Sequence, residues 1–82
     1  MDRAEVESRV KSVIARVLRL PAEGIAGDAN FIFDLGADSM QSMLLVAGFE
    51  EEFGIQMPED KALAVQTVSG AVDFIKSIVD RA

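Results

Sequence analysis

The chain has no cysteine and no histidine among its 82 residues. The first absence excludes a disulfide framework and thiolate chemistry of the chain's own. The second removes the usual general base and the commonest soft-metal ligand. Lysine and arginine are missing from residues 21–60, a stretch that holds nine acids: Glu23, Asp28, Asp34, Asp38, Glu50, Glu51, Glu52, Glu59 and Asp60. A segment of that sign repels a phosphate backbone, so nucleic acid and anionic membranes are poor partners and a basic protein surface is a good one. No uninterrupted apolar run approaches the ~20 residues that cross a bilayer, so membrane insertion is not expected. The opening Met-Asp-Arg-Ala-Glu-Val-Glu lacks the charged-then-apolar order of a secretory signal, which leads to an expected cytoplasmic location.

Half of the residues are apolar and 27% are charged, for a net charge of −6. That balance belongs to a folded globular chain, and the length suits one domain over residues 1–82 with a modest core. Val6, Val10, Val13, Ile14, Val17 and Leu18 recur at helical spacing, with Arg9, Lys11, Arg16 and Arg19 off the stripe; this predicts a helix over 3–19 closed with the help of Pro21. From Leu20 to Ala37 glycines at 24, 27 and 36 and the lack of any sustained period predict a long loop, anchored to the core by Ile25, Phe31, Phe33 and Leu35. Phe31-Ile32-Phe33 has strand character but no second strand-like segment to pair with.

Asp38 followed three residues later by Gln41 has the spacing of a capping box, which starts a second helix near Ser39 and lets it run to Phe53, where Gly54 is a suitable left-handed stop. Pro58 with Glu59 and Asp60 begins a short third helix over 59–65. Thr67 caps a last helix carrying Val68, Ala71, Val72, Ile75, Ile78 and Val79 on one side. The expected fold class is all-α: a small bundle of three main helices plus one short helix, with a long first loop.

The second helix is apolar around most of its circumference. Ser42, Leu45, Val46, Phe49 and Phe53 fall in one sector, and Met40, Met43, Leu44 and Ala47 in another. Such a helix sits centrally or has a second surface covered by a partner. Met43 fits either reading, while Met40, Leu44 and Ala47 suit the partner surface, methionine being adaptable to several partners. Ser39 has no neighbouring base to activate it, so no catalytic residue is assigned. A serine at a helix start is ordinarily a cap. Here Asp38 already fills that role, which leaves Ser39 at the first helical position with its hydroxyl outward, open to modification by another enzyme. No metal site is assigned: Asp28-Ala29-Asn30-Phe31-Ile32 lacks the third ligand and the glycine of a calcium loop.

The run Asp34-Leu35-Gly36-Ala37-Asp38-Ser39-Met40 resembles the D-L-G-x-D-S-[LM] signature of acyl carrier proteins. The likeness continues through Glu50-Glu51-Glu52-Phe53-Gly54-Ile55 and Met57-Pro58 to the Val72–Ile75 region. The resemblance implies that Ser39 receives 4′-phosphopantetheine from coenzyme A through a phosphopantetheinyl transferase, with Asp34, Gly36 and Asp38 as the flanking motif. The chain would then be a monomeric carrier and no enzyme. It would hold acyl groups as thioesters and deliver them to acyl-transferring and chain-elongating enzymes of fatty-acid, specialised lipid or polyketide synthesis, through basic docking patches on those enzymes. Met40, Met43, Leu44, Ala47, Glu50 and Glu51 are the docking candidates, and Leu45, Val46, Phe49, Leu63, Ala64 and Ile75 the candidates for lining an acyl pocket. Leu35, Phe49 and Phe53 would brace the start of the second helix, and Gly36 would permit a tight approach of the loop. Gln41 and Leu44 depart from the pattern, standing where many fatty-acid carriers have acids. The competing reading is an unmodified acidic helical interaction module with the same fold.

Overall fold

The computed structural model describes residues 1–81. Helix α1, Arg3–Leu18, starts where the Asp2 carboxylate accepts from the Glu5 amide at 2.9 Å. It ends at Arg19, whose backbone is left-handed (φ 58°) and whose amide donates to the Ala15 carbonyl. The stop is therefore made by a strained non-glycine residue two residues before Pro21. Helix α2 is Ser39–Phe53, α3 is Glu59–Ala64 and α4 is Val68–Arg81, with a one-turn 3-10 helix at Ala22–Gly24. Thr67 caps α4 through its hydroxyl, which accepts from the Gly70 amide at 3.1 Å. Among the described residues there is no strand, and one isolated antiparallel bridge pairs Asn30 with Thr67.

The stripes read from the sequence meet in the core. Val6, Val10, Val13 and Ile14 of α1 are sealed against Val68, Ala71, Val72 and Ile75 of α4 and Leu45 and Phe49 of α2, and every one of them is buried. Each such side chain contributes ~1.5–3 kcal/mol of burial before entropy is counted, which offsets the modest helix propensity of the valines. At the other end of α2, Arg9 donates to the Glu52 carboxylate at 2.8 Å and to the Glu52 carbonyl at 2.7 Å, and its guanidinium lies 4.9 Å from the centre of the Phe53 ring. Phe53 thus braces the end of α2 and not its start. On the outer side of α4 the Lys76 ammonium, hydrogen-bonded to Asp80 at 2.7 Å, holds that exposed carboxyl below the ordinary carboxylate range.

The long loop behaves as an anchored strap with one exception. Ile25, Ala29, Phe31 and Ala37 are buried and Leu35 packs on the core, but Phe33 is 88% exposed. The cause is local. The Asn30 side-chain oxygen accepts from the amides of both Ile32 and Phe33 at 2.9 Å, turning the chain so that Phe31 points inward and Phe33 outward. Gly36 has φ +75° with open space where a side chain would begin, so its role is conformational freedom and not a close approach.

The close approach occurs at Gly48. A Cβ there would lie 2.8 Å from Cγ1 of the fully buried Val13, so the absence of a side chain lets α1 and α2 touch. On helix propensity alone Gly48→Ala would gain ~1 kcal/mol, whereas overpacking costs ~1–3 kcal/mol. The expected outcome is a net loss of about 1 kcal/mol in a urea unfolding titration. In a Val13→Ala background, which removes the clashing methyl, Gly48→Ala should cost less than it does in the parent, and a single variant as stable as the parent would refute the contact.

Candidate functional site

The site is assembled by the strap. The Phe31 amide donates to the Gln66 carbonyl at 2.9 Å, the Val68 amide to Ala29 at 3.1 Å, and the Ser69 amide to Gly27 at 2.8 Å, so the loop is held by its backbone to the start of α4. Within the loop the Asp34 carboxylate accepts from the Asn30 amide at 2.7 Å, and the Asn30 carbonyl accepts from the amides of Asp34 and Leu35. The Ala37 amide donates to Phe31 at 2.8 Å and buries Ala37 just before the helix. These bonds fix the direction in which the chain enters α2.

At the entry, the Asp38 carboxylate accepts from the Gln41 amide at 2.8 Å and the Gln41 side chain accepts from the Asp38 amide at 3.2 Å. Ser39 follows as the first residue of α2, with its side chain exposed. The first amides of a helix have no partner within it. Asp38 takes up the Gln41 amide with its carboxylate and the Ser42 amide with its carbonyl, which leaves those of Ser39 and Met40 without a protein partner among the described residues. A hydroxyl, two free amides and the positive end of a 15-residue helix dipole coincide there, a setting that favours a phosphate group. No basic side chain occurs between residues 21 and 60 to activate Ser39 as a nucleophile.

Around this point the structure separates the candidate residues. Met40, Met43, Leu44, Ala47 and Glu51 are exposed on α2; Met40 reaches 71%. Glu50 is half-buried, its carboxylate accepting from the Met57 amide at 2.9 Å, so it organises the α2–α3 connection. Of the nine acids in residues 21–60, Glu52 is the one in an ion pair among the described residues. The other eight have no ion-pair partner among the described residues, and all of them but the half-buried Glu50 are exposed.

An apolar groove of about 160 Å³ opens between the loop, α2 and α3. Leu45, Val46, Phe49 and Leu63 line it, and so do Phe31, Met57, Ala62, Val65 and Ala71. Ala64 and Ile75 do not: Ala64 faces solvent, and Ile75 is wholly enclosed in the core. Sequence reasoning missed Met57 and Ala62, whose orientation depends on how α3 folds back, and Ala71, which it placed on the core stripe of α4. It also missed Ile32 and Phe33 as rim residues, although the asparagine preceding them is a turn signal.

The sequence matches the family model for the phosphopantetheine attachment site over residues 8–75. The chain belongs to this family, that of the acyl carrier proteins. Its cofactor is covalent 4′-phosphopantetheine, and proteins of the family interact with transferases and synthetic enzymes. The carrier is also similar to a solved structure described as an acyl carrier protein of Mycobacterium tuberculosis, at 28% identity and a TM-score of 0.81, over 88% of this chain and 96% of that one. No described helix of the carrier is long and apolar enough to cross a membrane.

The cap gives a direct check on this construction. Asp38→Ala should cost about 1 kcal/mol of unfolding free energy, and Asp38→Asn, which keeps an accepting oxygen, should recover most of it. Equal stability of the alanine variant and the parent would mean that the entry to α2 is set elsewhere.

Proposed function

We propose that Ser39 is the point of attachment and that the chain, as one carrier domain over residues 1–82, presents acyl groups to the enzymes of fatty-acid, specialised lipid or polyketide synthesis. The observation that carries this reading is the division of labour at the start of α2: Asp38 does the capping, so the Ser39 hydroxyl stays exposed on a fixed helix start beside two free amides. When bound, 4′-phosphopantetheine supplies a terminal thiol on which acyl groups are held as thioesters. The amides of Ser39 and Met40 would meet its phosphate, while Asp34 and Asp38, each engaged by a backbone amide, stay with the loop and the cap. The Ser39 hydroxyl oxygen would be the nucleophile toward coenzyme A, whose nucleotide bisphosphate leaves, and with no histidine in the chain to take its proton that task falls to the transferase.

Partner choice follows from what surrounds that serine. Met40, Met43, Leu44 and Ala47 offer an apolar face, with Glu51 and the uncompensated acids around it. The matching surface is an apolar patch rimmed by lysine and arginine. Leu44, 51% exposed where many fatty-acid carriers have an acid, points to a dedicated set of partners.

Incubation with coenzyme A, magnesium and a broad-specificity phosphopantetheinyl transferase should add one phosphopantetheine to the intact mass of the parent and none to Ser39→Ala. A folded parent that stays unmodified while a known carrier is modified alongside would favour a dedicated transferase or the unmodified interaction module. The association rate with the transferase should fall by about tenfold between low and physiological salt if the acids steer encounter. A salt-independent rate would remove electrostatic steering from the account.

A further inference from the structure

Met40 and Met43 differ from Leu44 and Ala47, their neighbours on the outer face of α2, in carrying a thioether. The sequence has no cysteine, histidine, tryptophan or tyrosine, so a mild oxidant that meets this chain acts on its four methionines. Their surroundings are unequal. Met40 is 71% exposed and Met43 58%, whereas Met57 is 8% exposed and belongs to the core. Among the described residues the sulfur that accepts a hydrogen bond is that of Met1, from the Arg9 guanidinium at 3.7 Å, which draws on the lone pair an oxidant needs. The two open sulfurs also share a place. Met40 directly follows Ser39, and Met43 lies four residues beyond Ser39 and three beyond Met40, so the three side chains are surface neighbours at the start of α2.

We propose that Met40 and Met43 form a reversible oxidation site that governs access to Ser39. The inference rests on Ser39 as the attachment point and on a partner covering this face while it is loaded. Hydrogen peroxide transfers one oxygen atom to each sulfur: the S–O bond forms, the O–O bond breaks, and the other oxygen leaves as water. Each sulfur loses two electrons and the peroxide gains them. The sulfoxide is a strong hydrogen-bond acceptor on a face that otherwise meets a partner with apolar groups, so covering it strips its water without replacement. A methionine sulfoxide reductase reverses the step, a dithiol becoming a disulfide while the oxygen departs as water. Leu44 and Ala47 have no counterpart to this chemistry.

The test treats the parent with hydrogen peroxide before loading, while the chain holds no thiol, and locates the added oxygen by peptide mapping. Oxidation should reach Met40 and Met43 first and Met57 last. At that stage kcat/KM for phosphopantetheine transfer by the same transferase should be lower by about tenfold. Incubation with the two epimer-specific methionine sulfoxide reductases and dithiothreitol should restore it. The double variant Met40→Leu, Met43→Leu keeps Met1 and Met57, and peroxide should leave its own kcat/KM where it was. The double variant Met40→Gln, Met43→Gln, its fold verified by circular dichroism, puts polar groups on the face without any oxidant and should be slow from the outset. A parent oxidised at both positions that loads as fast as before, or a leucine variant that peroxide slows equally, overturns the oxidation site; a slow glutamine variant then leaves the docking face standing. A glutamine variant as fast as the parent removes the docking face as well. Phosphopantetheine that maps to another serine of the untreated parent overturns the Ser39 reading and the inference with it.

Discussion

The start of α2 is held by backbone hydrogen bonds between a long loop and the beginning of α4. Phe31 to Gln66, Val68 to Ala29 and Ser69 to Gly27 form a seam that is independent of side-chain identity. Once it is closed, Phe31 drops into the core, Ala37 is buried, and the chain has little freedom in how it enters the helix. The capping exchange between Asp38 and Gln41 then completes the junction. An 18-residue loop, residues 20–37, would cost considerable entropy to order if its ends alone were fixed. Here its interior is bonded as well, which turns a flexible connection into a platform.

On that platform the acids have distinct tasks. Asp34 and Asp38 bind backbone amides, Glu50 closes the α2–α3 connection through Met57, and Glu52 grips Arg9 across the bundle. Glu51, Glu59 and Asp60 remain exposed and without an ion pair. Charge that looks uniform along the sequence is therefore partly structural and partly available to partners. The exposed part acts at long range and is weakened by salt, whereas the structural part acts through short hydrogen bonds.

Much of this was legible in the residues. The stripe from Val6 to Leu18 and the one from Val68 to Val79 repeat at helical spacing, and the Asp38–Gln41 spacing places the start of α2 at the residue where it begins. The two faces of α2 separate as expected into buried Leu45 and Phe49 and exposed Met40, Leu44 and Ala47, and Met43, which fitted either face, is exposed with the latter. What stayed hidden depends on contacts distant in sequence. Nothing near Gly48 shows that Val13 lies against it, and nothing near Glu52 indicates Arg9. Phe33 was misplaced for a local reason: an apolar residue in an apolar run suggests an anchor, yet one turn at Asn30 reverses its direction.

The central claim is that position, and not intrinsic reactivity, makes Ser39 the modified residue among the six serines of the chain. Ser42, three residues on, faces the groove and is half-buried, while Ser39 stands exposed at the first helical position. The most direct measurement is fragmentation mass spectrometry of the parent after treatment with coenzyme A and transferase. The account predicts that the added mass resides on Ser39 alone. A modified Ser42, or an adduct spread over several serines, would contradict it.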